Sequence, residues 1–283
     1  MNTREMMKVA LDLAGLEKCT QDAYIIYPGE NIKRVLVGID MSTPELIIAK
    51  MTGYDCVVSH HPRCMETNRI LDLFSEQTFF LNEKGVPLNR AQKIMEPQIE
   101  EMKNSFHPLG AGCDVTAAEL LNMPFMCIHT PADLIVESSL QKLMDEHINE
   151  DAKLSDILSL LNDLPEYKNA MMGPKIAVGT ENSYCGKVLV RMAGVTDPGF
   201  EAYKALFEAG YGTIVVMHMP EECVKKLKKL NIGNVINAGH MPSDSYGMNR
   251  ILEVWEERGV EVVRMGGLVP TNRSVRRSFE ENY

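Results

Sequence analysis

The seven cysteines of this 283-residue chain (Cys19, Cys56, Cys64, Cys113, Cys127, Cys185, Cys223) include no C-x-x-C pair. An odd count without that spacing argues against a disulfide framework and a thiolate zinc site, and predicts reduced, mostly buried thiols. No apolar run approaches the ~20 residues of a membrane-spanning helix. Met1 to Asp12 alternates charged and apolar positions like an amphipathic helix and lacks the apolar core and cleavage site of a signal peptide, which predicts a cytoplasmic protein. Basic excess is missing too. Lys plus Arg number 29 against 39 Asp plus Glu, a net charge of −10, so neither nucleic acid nor a membrane is expected as a partner. The one basic cluster, Arg273, Arg276 and Arg277, reads as a frayed C-terminal tail. There is no Walker-type phosphate loop, fixed-period repeat or low-complexity tract.

What is present is apolar enough, at 45% hydrophobic residues, to offset the entropy lost on folding. The length fits one large domain or two interlinked lobes. β-branched runs predict strands at Val35–Ile39, Cys56–Ser59, Phe125–His129, Lys175–Gly179, Val188–Met192, Thr213–Met217, Val235–Ala238 and Val260–Arg264. Helical patterns alternate with them. The clearest is Asp244 to Arg258, where Met248, Ile251, Leu252 and Trp255 recur at helical spacing before Gly259. Strand, helix, strand repeated in this way predicts an α/β fold with a largely parallel sheet. Two segments depart from the pattern. From Arg63 to Pro108 an inserted hairpin or helical excursion is expected, its helix interrupted at Pro97. Between Glu150 and Pro174, a polar helix and Asn169 to Gly173 read as a crossing between lobes.

Five of the seven histidines stand at the carboxyl end of a predicted strand: His60 and His61, His129, His218 and His240. Binding sites in open parallel sheets form just outside those ends, so the shared address points to one site. Asp133 and Asp244 each follow a histidine in the spacing H-x-x-x-D with a proline between, which puts both in or just before a first helical turn; each is also suited simply to cap that helix. Adjacent side chains on an extended chain diverge, so His60 and His61 suit two ions better than one. Imidazole and carboxylate without thiolate favour Zn, Fe or Mn among the candidate metals. Two such ions ~3.5–4 Å apart activate water for hydrolysis.

Val35-Leu36-Val37-Gly38-Ile39-Asp40, then Cys56-Val57-Val58-Ser59-His60-His61-Pro62, then His129-Thr130-Pro131-Ala132-Asp133, then Gly239-His240 with an acidic residue four places on resemble, in order, the motifs of the GTP cyclohydrolase I type 2 homologues, the Nif-three-like proteins. The resemblance implies two interlinked α/β lobes, lobe A over about 1–135 with the 63–108 insertion and part of the C-terminus, lobe B over about 150–265. It further implies a dinuclear metal site in the cleft between them and a toroidal homohexamer. The implied ligands are His60, His61, Asp133 and His240, with His129 close by and Asp244 where the family usually has glutamate. The gap from His61 to His129 is longer than is typical of the family, and Met217-His218-Met219 stands where its Thr-Gly-Glu motif usually lies.

The expected function is therefore that of a dinuclear metal hydrolase acting on a small molecule such as a nucleotide, with His218 or Asp40 as general base or hydrogen-bond partner and Arg63 holding any phosphate. A non-catalytic metal-binding scaffold with the same ligands, or a relative with an empty site, satisfies the same pattern.

Overall fold

Four-residue strands rich in valine and isoleucine are stable only where both faces are covered, and two such sets of strands form two sheets. The computed structural model describes residues 1–63, 67–106, 112–194 and 197–271; Cys64, His107 and the Arg273, Arg276, Arg277 cluster lie outside them. The first sheet joins β1 (Ala23–Tyr27), β2 (Arg34–Gly38), β3 (Cys56–Ser59), β4 (Phe125–Ile128) and β9 (Glu261–Arg264) in the order β1-β4-β3-β2-β9. The second joins β5 (Lys175–Val178), β6 (Val188–Arg191), β7 (Thr213–Val216) and β8 (Asn234–Asn237) in the order β5-β8-β7-β6. Each is parallel except for one antiparallel edge strand, β1 on β4 and β5 on β8. The eight predicted strands are all present within a residue or so of their expected ends. β1 was not anticipated. Its Ala-Tyr-Ile-Ile-Tyr run is one residue buried and four half-buried, the signature of an edge strand.

Helix α6 (His129–His147) lies between the sheets. Its Ala132 and Ile135 join a core with the first sheet, α1 (Thr3–Leu13) and α11 (His240–Glu257), in which the Trp255 indole is fully buried and donates to the Met6 carbonyl at 3.3 Å. Its Val136, Leu140 and Met144 pack against Val190, Val215 and Ile236 of the second sheet. Helices α2 (Thr43–Thr52) and α5 (Cys113–Leu121) cover the other face of the first sheet.

The 63–108 excursion is helical and not a hairpin, with α3 (Thr67–Glu83) and α4 (Leu88–Phe106). It leaves the first sheet and covers the second, where Phe74, Leu81, Ala91 and Met95 share a core with α9 (Phe200–Glu208), α10 (Glu221–Leu230) and strands β5 to β8. The expected break at Pro97 does not occur, for α4 runs through it. Pro97 is exposed, so water takes the carbonyl it frees, and buried contacts on either side hold the two halves in line. The segment after Glu150 holds two helices, α7 (Leu154–Asn162) and α8 (Pro165–Asn169). α7 is amphipathic where a polar helix was expected, burying Leu154, Ile157 and Leu161 beneath α6. Among the described residues, no helix is long and apolar enough to cross a membrane. The six described cysteines are free, and four of them are buried.

Candidate metal centre

The carboxyl ends of both sheets deliver histidines to one place. β3 ends at Ser59, and the amides of His60 and His61 continue its ladder by donating to Gly38 and Ile39 at 2.9 Å. His129 opens α6 directly after β4, His240 opens α11 just beyond β8, and His218 follows β7. Ring centroids lie 4.7 Å apart for His60 and His129, 5.2 Å for His61 and His240, and 4.8 Å for His218 and His240.

Both helices begin earlier than expected, at the histidine itself. Pro131 and Pro242 sit at the third helical position, where a missing N–H leaves no intrahelical bond unmade. Asp133 and Asp244 are thus fifth in their helices, a full turn beyond their histidines on the same face. Neither caps its helix, and both are buried. Asp244 divides its two oxygens: Oδ1 lies 3.6 Å from His60 Nε2, while Oδ2 lies 3.5 Å from His61 Nε2 and 3.2 Å from His240 Nε2. Asp133 does likewise, with Oδ1 3.4 Å from His60 Nε2 and Oδ2 3.7 Å from His129 Nε2.

Outer partners aim the rings. Asp40 Oδ1 lies 2.9 Å from His61 Nδ1, so that nitrogen donates and the lone pair of Nε2 faces His240 Nε2 at 3.3 Å. Asp22 Oδ2 takes His129 Nδ1 at 2.6 Å and the Thr130 hydroxyl at 2.7 Å. No sequence signal marks Asp22, because nothing local links it to a histidine 107 positions away. It is the orienting carboxylate that histidine ligands generally have.

Among the described residues, five buried side-chain atoms without a hydrogen-bond partner gather here: both ring nitrogens of His60, Asp133 Oδ1 and both oxygens of Asp244. Unpaired buried polar atoms are strongly destabilising and rare in native folds, so their concentration at one point fits a cation that the lone pairs of His60 Nε2, Asp133 and Asp244 would satisfy. Three overlapping groups have donors within 4.8 Å of one another: His60, His61 and His129; His61, His240 and Asp244; His60, Asp133 and Asp244. The chain can hold a metal ion here. Burial pushes His60 and His240 below the ordinary histidine value, toward the neutral form a metal requires. Burial also raises the Asp133 carboxyl well above the usual range. Against its own burial, Asp244 is held below that range by His60, His61 and His240. Burial opposes charge on His129, but Asp133 and Asp22 outweigh it and bring that pKa to about 9.

A cavity of about 350 Å³ opens on His61, His129, Asp133, His218 and His240. Gln77, Arg191, Asp197 and Tyr203 are also on its wall, so the excursion helix α3 contributes to the site. Arg191 is bound by Glu137 at 3.0 Å and by Gln77 at 3.0 Å, and the Tyr203 hydroxyl donates to Asp197 at 3.0 Å. None of these four carries a sequence signal, for each comes to the cavity from the second sheet, the helices over it or, for Asp197, the loop between β6 and α9. His218 is exposed on the cavity wall. Arg63 is not part of that lining: its Nε donates to Asp114 at 3.3 Å, and Nη1 lies 3.8 Å from Asp40. His147 is exposed at the far end of α6, eighteen residues and about 27 Å from His129 at 1.5 Å per residue.

No protein-family model matches the chain, and no curated protein matches it. Solved structures do. HcgD from Methanocaldococcus jannaschii in its reduced form is 13% identical with a TM-score of 0.58, over 93% of this chain and 97% of that one. A Staphylococcus aureus protein is 13% identical with a TM-score of 0.55, over 94% and 96%. At that identity they show a shared fold. A NIF3 superfamily protein from Sphaerobacter thermophilus goes further, at 30% identity and a TM-score of 0.89 over 95% of this chain and 99% of that one. With the histidine and aspartate cluster at the carboxyl ends of two interlinked sheets, that likeness over nearly the whole of both chains places this protein in the NIF3 superfamily.

Proposed function

We propose that the chain is a dinuclear metal-dependent hydrolase of a small molecule, holding two divalent ions such as Zn, Fe or Mn. The observation that carries this reading is Asp244, whose two unpartnered oxygens face different histidines. One set, His60, Asp133 and Asp244, is wholly buried and reaches the cavity only through Asp133; the other, His61, His240 and Asp244, puts both of its half-buried histidines on the cavity wall. Closed coordination suits an ion that holds the fold, and an open one suits chemistry. Two ions would supply Lewis acidity and lower the pKa of water.

The chain's own residues do the rest. Asp40 fixes the tautomer of His61 and so acts as a positioning residue, and Asp22 does the same for His129. His218, exposed beside His240, is placed to take or deliver a proton at the substrate. Arg63, tied to Asp40 and Asp114, holds the loop after β3 and stands where it can meet an anionic group entering from outside. The buried set supports the non-catalytic alternative, a metal-stabilised scaffold, and turnover decides between the two. A cytoplasmic homohexamer remains part of the reading. Its support is the apolar residues exposed on α2 and α5, Met51 at 82% and Leu120 at 80%, since exposed apolar patches commonly mark interfaces.

Elemental analysis of the purified protein, coupled to a screen of nucleotide and small-ester hydrolysis, tests this directly. His61→Ala and His240→Ala should each lose bound metal and any hydrolysis, while His147→Ala keeps both. Unchanged stoichiometry in His61→Ala would sink the assignment. Asp22→Asn should leave the fold intact and weaken metal affinity about 10–100-fold, the usual effect of losing a histidine's outer partner. Competition with a chromogenic chelator measures it.

A further inference from the structure

A second cavity, about 770 Å³, lies on the other side of Met217, His218 and His240, the three residues it shares with the cavity over the cluster. It is bounded by the start of β5, the loop after β7, the first turn of α11 and the segment Gly267 to Pro270 that follows β9. Met171, Met172, Met217, Met219 and Met241 line it. Met171 is 95% exposed and Met172 70%, so much of that thioether surface faces water until something covers it. Methionine is unbranched and polarisable, and it conforms well to flat or irregular apolar ligands.

The charge of the chamber runs against the charge of the protein. In a chain of net charge −10, not one carboxylate is among the described residues that line it, whereas Lys175 and Arg264 are. Arg264 is already matched by Glu256 at 2.7 Å. Lys175 has no ion-pair partner among the described residues, and it sits directly across the β5–β8 ladder from Asn237. Asn237 is 9% exposed, lines the same chamber, and its buried Oδ1 has no partner among the described residues. An apolar wall, an unpaired ammonium and an unsatisfied acceptor describe one kind of occupant. We propose that this chamber binds an amphipathic organic anion, its apolar body against the methionines, its acidic group at Lys175 and a donor N–H or O–H toward Asn237. The site stands apart from the metal reading, because none of these contacts requires an ion.

The test uses two fluorescent probes of nearly the same shape, the anion 1-anilinonaphthalene-8-sulfonate and its uncharged counterpart N-phenyl-1-naphthylamine, titrated into the full chain as purified. Saturable binding of the sulfonate at one site per chain is expected. Reversing the charge of an exposed residue near the anion in Lys175→Glu should weaken the sulfonate about tenfold and leave the uncharged probe within about twofold. Met172→Glu, exposed and harmless to folding, should weaken both. Asn237→Leu removes an unsatisfied buried acceptor, so it should weaken the sulfonate without lowering the melting temperature. Binding should survive treatment with chelator. Unsaturable binding, equal sulfonate affinity in wild type and Lys175→Glu, or loss of binding on chelation would each overturn the proposal; the last would mean that the anion is held by metal instead.

Discussion

Replacing Asp244 with alanine is expected to strip the protein of bound divalent metal altogether, while Asp133→Ala should keep about half of the wild-type amount, since losing one of three ligands typically empties a site. The asymmetry follows from geometry. Asp133 has one oxygen toward His60 and one toward His129, on the buried side, whereas Asp244 stands between His60 and the pair His61 and His240. Aspartate is one methylene shorter than the glutamate usual in the resembling family. The shorter arm still places both oxygens, because α11 begins at His240 and carries Asp244 down into the cluster at 0% exposure. Stability gives a second readout. Each ion at a thousandfold excess over its Kd stabilises the fold by about 4 kcal/mol, so metal should raise the melting temperature of the wild type and of Asp133→Ala but not of Asp244→Ala. Equal metal loss in the two variants would show that Asp244 does not join two ions.

Much of this site was legible because buried parallel strands are written as continuous β-branched runs, and a histidine placed just after such a run can only sit at the sheet's carboxyl edge. Cys56-Val57-Val58-Ser59-His60-His61 is the plainest case. At α11 the pattern starts the helix at Asp244, four residues late, since Pro242 reads equally well as the first helical position or the third, and only the structure shows Gly239 before the helix with φ of 111°. Asp22, Gln77 and Arg191 were illegible for a different reason. Each reaches the site through tertiary contact alone, Gln77 on a helix that belongs by sequence to one sheet and by packing to the other. Periodicity describes what a segment buries but not against what, and the convergence of two sheets on one cluster is a fact of the second kind.

That convergence depends on how closely α6 and α11 approach, and Gly247 sets the distance. Gly247 lies seven residues beyond His240 and three beyond Asp244, on the stripe that faces α6. A Cβ there would overlap the carbonyl oxygen of Ala132 and lie 2.7 Å from its carbonyl carbon. Alanine improves helix propensity by about 1 kcal/mol over glycine. Overpacking against a backbone that cannot yield destabilises by about 1–3 kcal/mol or more, so the clash should win. Gly247→Ala is therefore expected to lower stability by about 2 kcal/mol net and, more tellingly, to lose metal, because the residue it pushes, Ala132, precedes Asp133 and its own helix carries Asp244. Gly259→Ala is the matched comparison. That glycine has φ of 84° with nothing within 4 Å of a Cβ, so alanine should cost about 1–2 kcal/mol of left-handed strain and leave metal content untouched. The decisive outcome is the separation of the two readouts. If both variants lose stability and only Gly247→Ala loses metal, the spacing of α6 and α11 is what builds the centre; if Gly247→Ala binds metal like the wild type, the ligands do not depend on that contact.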